Sequence, residues 1–184
     1  HPFRFLGQNK IEKENDGIKK QKFRRIKEII TPGPMDIGFI SGGSGIIALN
    51  NLTSAQINMV LNDLNSLSDL CDILIVDTGA GISDNVLKFV LASPDVLLVT
   101  TPEPSSLTDS YSLVKAMVRN ESFDRDKVRI RMIANKVQSE SEAMQVFNKM
   151  DSVTSRFLNE KLIYQGMVPS DASLEKAVRK QKIV

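Results

Sequence analysis

Apolar and polar positions run along the chain in two alternating periods. Residues 73–76 read Ile-Leu-Ile-Val, a continuous apolar run that stops at Asp77 and a turn of Thr78, Gly79, Ala80 and Gly81. So short and so apolar a run predicts a strand covered on both faces, as in a parallel α/β sheet. Residues 95–101 (DVLLVTT) predict a second buried strand, residues 128–137 (VRIRMIANKV) a strand of mixed exposure, and residues 162–169 (LIYQGMVP) a last one. Upstream, the break TPGP at residues 31–34 is followed by DIGFIS at 36–41, a short strand leading into the loop GGSG at 42–45.

Between the strands the period becomes helical. From Thr53, TSAQ has the spacing of a capping box, and Ile57, Val60, Leu61 and Leu64 fall on one face. Ser83 opens a second helix with Val86, Leu87, Val90 and Leu91 turned inward, PEPSS breaks the next strand, and a helix spans about 107–119. SESE at 139–142 is another capping box, ahead of a long helix whose inner stripe is Ala143, Val146, Phe147, Met150 and Phe157. Ser173 begins a final short helix through Ala177 and Val178. Strands and helices in strict alternation predict a doubly wound, mostly parallel sheet with right-handed crossovers. Residues 35–184 form this α/β domain, and residues 1–34 read as a basic segment or linker.

Composition narrows the class. With 184 residues and 41% hydrophobic content the chain can bury one sizeable core. No apolar run approaches the roughly 18 to 20 residues of a membrane-spanning helix, and the first residues do not resemble a signal peptide. The single cysteine, Cys71, excludes an internal disulfide and reads as a small core thiol, in keeping with a reducing cytoplasm. The net charge of +2 is uneven: residues 1–30 hold nine Lys or Arg against four Asp or Glu. KKQKFRR at 19–25 has the charge to touch nucleic acid or an anionic membrane, but a solvated face or linker is favoured because only Phe23 interleaves the cations.

Three strand ends carry residues that chemistry can use. Asp77 with Gly79 and Gly81 combines a carboxylate with a glycine turn, which suits a hydrated cation beside a phosphate held on backbone amides. Its structural alternative is an aspartate that caps the following helix or turn. Asn135 ends a strand, where its amide offers the donor and acceptor that match adenine, although asparagine is also common turn chemistry. Pro169 fixes a loop from which Asp171 can face a ribose or base, or simply start a helix. In a doubly wound sheet all three lie at the carboxyl edge, where such sheets bind ligands.

VDTGAGISDNVLKFVLASPDVLLVTTPEPSSLTDSYSLVK, with ISGGSG before it and IANKV and GMVPSDASLEKAV after it, resembles the MinD/ParA superfamily of deviant Walker P-loop ATPases. It is most similar to the branch of flagellar-number regulators of FlhG, FleN or YlxH type, and the resemblance runs from about Ile37 to the end. That resemblance implies a protein that binds ATP with Mg²⁺, forms an ATP-dependent homodimer and hydrolyses ATP slowly as a timer for localisation or partner exchange, as a switch regulating flagellar number or placement or cell-pole positioning. Asp77 would hold the Mg²⁺ shell, Gly79 to Gly81 would sense the terminal phosphate, Asn135 would read adenine, and Pro169 and Asp171 would close the base and ribose side. Glu103 and Pro104 belong to the family's Pro-Glu loop without a role that chemistry assigns. The branch further implies flagellar assembly proteins as partners and a cytoplasmic location, peripheral at the inner face of the cell membrane in the intact protein. DNA is not an expected partner.

The departure from the family is as specific as the match. Members begin with a strand leading into a K-G-G-x-G-K-[ST] loop and carry a catalytic aspartate on a second strand; none of the ten glycines here precedes a lysine. No catalytic residue can therefore be assigned, and the chain reads as such an ATPase without its first strand and phosphate loop, hydrolysis being implied for the intact protein and not for the chain alone. Two other readings stand beside it: a non-enzymatic interaction module that has lost the loop, and a partitioning ATPase of ParA type. The family also places the loop's strand between the strand ending at Asp77 and residues 96–100. Without it those strands either pair directly or take another partner, such as the N-terminal segment.

Overall fold

A computed structural model describes residues 3–4, 30–40, 53–67 and 69–180. The chain divides into two compact units, residues 1–80 with 84–89, and residues 81–83 with 90–184. The loop GGSG and the basic run 19–25 lie outside the described residues.

The first unit holds β1 (Phe3–Arg4), β2 (Thr31–Pro32), β3 (Gly38–Phe39), α1 (Ser54–Asn65), β4 (Leu74–Ile75) and the start of α2 (Asp84–Leu91). The TPGP break makes a tight reversal, with the Gly33 N–H donating to the Ile37 carbonyl at 2.7 Å, so β2 and β3 pair antiparallel. In α1 Ile57 is buried, and Val60, Leu61 and Leu64 are half-buried on the same side. Residues 73–76 differ from expectation. β4 pairs in parallel with β1, Phe3 opposite Leu74 and Arg4 opposite Ile75, and Ile73 is 55% exposed, with Ile75 and Val76 also exposed. A two-residue partner strand supplies too little cover to bury the run. Cys71 is half-buried, its thiol donating to the Leu67 carbonyl at 3.4 Å, rather than fully in a core.

The second unit is a three-stranded parallel sheet in the order β5 (Asp95–Thr100), β6 (Arg129–Val137), β7 (Ile163–Pro169), linked by α3 (Pro104–Val118) and α4 (Glu140–Leu158) and followed by α5 (Ala172–Arg179). Sequential parallel neighbours, each joined through a helix, are repeated βαβ units. α3 packs on β5, and α4 on β6, β7 and α3. One face of the sheet makes the core: Val96, Leu98 and Thr100 of β5 and Ile130, Met132 and Ala134 of β6 are buried with Val114 and Met117 of α3 and Ala143, Val146 and Met150 of α4.

Alternation replaces the two-sided burial expected of residues 95–101: Leu97 is exposed and Val99 is 53% exposed. Within this unit helices cover only one face, and successive side chains of a strand point to opposite faces. Phe157 is a second correction. The stripe Ala143, Val146, Met150 continues at Thr154 and Leu158, both buried, whereas Phe157 is 64% exposed. One residue is about 100° of helix, enough to carry a ring from the inner to the outer side.

Helix ends follow their chemistry. Ser139 caps α4, its hydroxyl accepting the Glu142 N–H at 3.2 Å, while the Glu142 carboxylate accepts the Gln138 N–H at 2.6 Å. α3 starts three residues before the expected 107, because Pro104 occupies the first helical position, where its missing N–H costs nothing. Asp171 caps α5, so that helix starts at Ala172. On the open face the Arg131 Nε and an Arg129 guanidinium nitrogen donate to the two Asp95 oxygens at 2.6 Å each, and Arg131 also donates to Gln165 at 3.1 Å, which bridges all three strands. These guanidinium hydrogen bonds, that of Arg131 first, hold the Asp95 carboxyl below 3.8. Burial pushes the Glu160 carboxyl up, against the pull of Arg125, which donates to it at 3.1 Å.

Because the folded-state pKa of Asp95 is depressed, its contribution to stability is present above the unfolded value and lost as pH falls through the folded one. Asp95→Asn is therefore expected to lower the urea midpoint at pH 7 and to have progressively less effect below pH 3.8. An equal shift at both pH values would remove the charged network from the sheet's stability. Met150→Ala, at a buried site under the sheet, is expected to cost about 2 to 5 kcal/mol in the same assay, against about 1 kcal/mol for Ser139→Ala.

Candidate functional site

The glycine loop after β4 is open. Asp77 is exposed and its carboxylate has no hydrogen-bond or ion-pair partner among the described residues. The next helix, α2, begins only at Asp84, so no helix cap occupies Asp77. Gly81 has φ +110°, a conformation that favours glycine, and nothing lies within 4 Å of a Cβ placed at Gly79 or Gly81. Among the described residues no group of three or more His, Cys, Asp or Glu could hold a metal ion. A single exposed carboxylate suits Mg²⁺ only through water and a phosphate-bearing ligand, which is how Mg²⁺ is ordinarily held.

In the second unit the parallel register brings Asn135 and the Pro169 loop together. Asn135 lies opposite Val168 and Val137 opposite Pro169, and the Ser170 N–H donates to the Val137 carbonyl at 2.9 Å. The ladder is irregular on both sides of this point. Gly166, at φ +137°, follows a register shift between Met132 and Ile133, and a second shift falls between Asn135 and Val137. Lys136, between them, sits at φ 56°, a left-handed conformation uncommon for a long side chain.

That twist engages Asn135. Its Oδ1 accepts the Lys136 N–H at 2.9 Å, so the amide oxygen serves a local turn while the NH₂ group keeps its donors. Asp171 is likewise committed in part: its Oδ1 accepts the Ser173 N–H at 2.7 Å. Asn135 and the loop from Pro169 to Asp171 thus stand at neighbouring strand ends, whereas Asp77 and Gly79 belong to the other compact unit.

Two features at this edge were missed from the sequence. The Thr101 N–H donates to the Ser106 hydroxyl at 3.0 Å, and that hydroxyl also lies 3.0 Å from the Thr100 hydroxyl, which ties the end of β5 to the first turn of α3. Serine following Pro-Glu-Pro was the available signal, since serine hydroxyls bind nearby backbone at helix starts. The left-handed Lys136 had none, because nothing in Asn-Lys-Val demands it.

No family model matches the chain. It is 38% identical over 159 residues to the antiactivator FleN of Pseudomonas aeruginosa, covering 86% of this chain and 55% of that protein. It is 31% identical over 162 residues to the flagellum site-determining protein YlxH of Helicobacter pylori, covering 87% and 53%. The chain therefore spans about half the length of the curated relatives it matches. Among solved structures, a ParA family ATPase from Chlorobium tepidum superposes with a TM-score of 0.60 at 19% identity, covering 83% of this chain and 56% of that one, which establishes the shared α/β fold. Similarity to FleN and YlxH along most of this chain, together with the fold of a ParA family ATPase, supports the MinD/ParA family and its branch of flagellar-number regulators.

Proposed function

We propose that the chain is the part of an ATP-dependent regulator of flagellar number or placement that reads the adenine end of the nucleotide and senses its terminal phosphate. The observation that carries this reading is the register of β6 and β7, which sets Asn135 beside the Pro169–Asp171 loop at the carboxyl edge of a parallel sheet, where open α/β sheets take their ligands. The biological role rests on the similarity to FleN and YlxH.

In this reading the Asn135 NH₂ donates to adenine, and the base competes with the Lys136 N–H for Oδ1. Pro169 holds the loop against the base, and the free Asp171 oxygen faces the ribose. The exposed Asp77 carboxylate binds the water shell of Mg²⁺, while backbone N–H groups from Gly79 to Gly81 approach the terminal phosphate because no side chain stands in the way. Mg²⁺ would neutralise charge on the phosphates. An ATP-dependent homodimer and flagellar assembly proteins are the partners this role implies.

Hydrolysis needs more than these residues. No Gly-Lys-Ser/Thr sequence occurs in the 184 residues, and the lysine of such a loop supplies much of the positioning and charge neutralisation in phosphoryl transfer. A second reading, an interaction module of the same fold, draws support from β1, whose backbone takes up one edge of β4.

The chain by itself is expected to release phosphate from Mg-ATP no faster than buffer. Turnover in a steady-state assay that vanished in Asp77→Ala would reveal a phosphate site among these residues and defeat that expectation. In a protein that carries a phosphate loop ahead of this chain, Asn135→Ala should weaken ATP binding by about 1 to 3 kcal/mol, the range for a lost bidentate base contact. An unchanged dissociation constant by calorimetry would leave Asn135 as turn chemistry and favour the interaction module.

A further inference from the structure

The misplaced Phe157 has a consequence on the outer side of the helices. Between α3 and α4 runs an open groove of about 500 Å³, lined by Pro104, Leu107 and Tyr111 from one helix and Met150, Val153 and Phe157 from the other. Buried Met150 belongs to the stripe that packs on the sheet and forms the floor, while Val153 and Phe157 lie on a stripe rotated from it. The half-buried Val153 and the Phe157 ring, 64% exposed, are apolar surface left over after the core is complete.

The α4 side of the groove carries cations unpaired among the described residues. Lys149 lines the groove, and Arg156 lies seven residues further along α4 with its guanidinium 5.3 Å from the centre of the Phe157 ring. Seven residues are two turns, about 10 Å along the axis, so both cations flank the same side. Lys115 extends the stripe of Tyr111 by one turn on α3. Lys115, Lys149 and Arg156 have no ion-pair partner among the described residues, and the Tyr111 hydroxyl has no hydrogen-bond partner among them. The carboxylates nearest in sequence do not pair with these cations: exposed Glu103 precedes Pro104, exposed Asp109 follows Thr108, and Asp151 accepts the Leu162 N–H at 2.8 Å.

We propose that the groove between α3 and α4 is a docking site for an acidic amphipathic helix of a partner protein. A slot between two helices accepts the apolar stripe of a third, read through anchors at i, i+3, i+4 and i+7. Carboxylates two turns apart on that helix would meet Lys149 and Arg156, and the Tyr111 hydroxyl would donate to a third acceptor. A flat bilayer cannot reach the floor of a concave slot, so the shape selects a helix over a lipid surface. Charge sets which helix: an acidic flank is attracted and a basic one repelled. The site is independent of the nucleotide reading, because none of its residues lies at the carboxyl ends of β6 or β7.

The test uses this chain with labelled peptides of roughly five helical turns, sharing one leucine stripe and flanked by glutamate, glutamine or lysine, with fluorescence anisotropy as the readout. The glutamate peptide is expected to bind roughly tenfold tighter than the lysine peptide at low salt, the gap narrowing above about 0.15 M as charges are screened. Lys149→Glu with Arg156→Glu should reverse that order, and Phe157→Ser should weaken all the peptides. Lys149→Gln alone, a milder surface change, should narrow the gap if the double variant does not fold. Equal binding of all peptides, no binding, or an order that survives charge reversal would overturn the proposal. So would binding of anionic phosphatidylglycerol vesicles without peptide binding, or a concentration-dependent dimer that Phe157→Ser abolishes and that excludes the peptides.

Discussion

A parallel ladder admits one register at a time, and the register of β5, β6 and β7 decides which side chains can meet at their carboxyl ends. Asp95 pairs with Arg129 at one end and Thr100 with Ala134 at the other, so β6 runs three residues past the end of β5 and carries Asn135 beyond it. Irregular pairing with β7, eased by Gly166 and the left-handed Lys136, then places Asn135 beside Val168 and the Pro169 loop. A slip of one residue would turn every inward side chain outward. Burial of Ile130, Met132 and Ala134 under α4 and the charged bridge from Asp95 to the two arginines both penalise that slip.

Cover on a single face shapes the rest of the second unit. Helices α3 and α4 must pack on the sheet and on one another, and each does so with one stripe of apolar residues. The stripe of α4 is wider than the sheet requires: Val153 and Phe157 lie beyond it and form the groove wall. Lys149 and Arg156 beside those residues have no ion-pair partner among the described residues, so the same packing that completes the core leaves a charged apolar slot on its outer side.

Much of this was legible in the sequence because periodicity reports geometry directly. The strands at 95–100, 129–137 and 163–169 and the helix from 140 to 158 lie where the alternation placed them, and Ser139 caps as its spacing implied. Burial was less legible. A run such as Ile-Leu-Ile-Val states that a strand can be covered on both faces, not that this chain supplies the cover, and Ile73 and Val99 remain exposed. Phe157 was assigned inward by its chemistry when the 3.6-residue phase placed Thr154 and Leu158 there instead. At the candidate site, the sequence named Asp77, Gly79, Gly81, Asn135, Pro169 and Asp171, but the Asn135 bond to the Lys136 N–H depends on a backbone twist that no residue type announces.

The claim that the carboxyl ends of β6 and β7 form an adenine site is tested most directly by amide chemical-shift mapping of this chain during titration with ATP and, separately, GTP. Saturable shifts confined to residues 135–137 and 168–171, larger for ATP than for GTP, are the expected result. Shifts that are equal for the two nucleotides, or that cluster away from those residues, would contradict it.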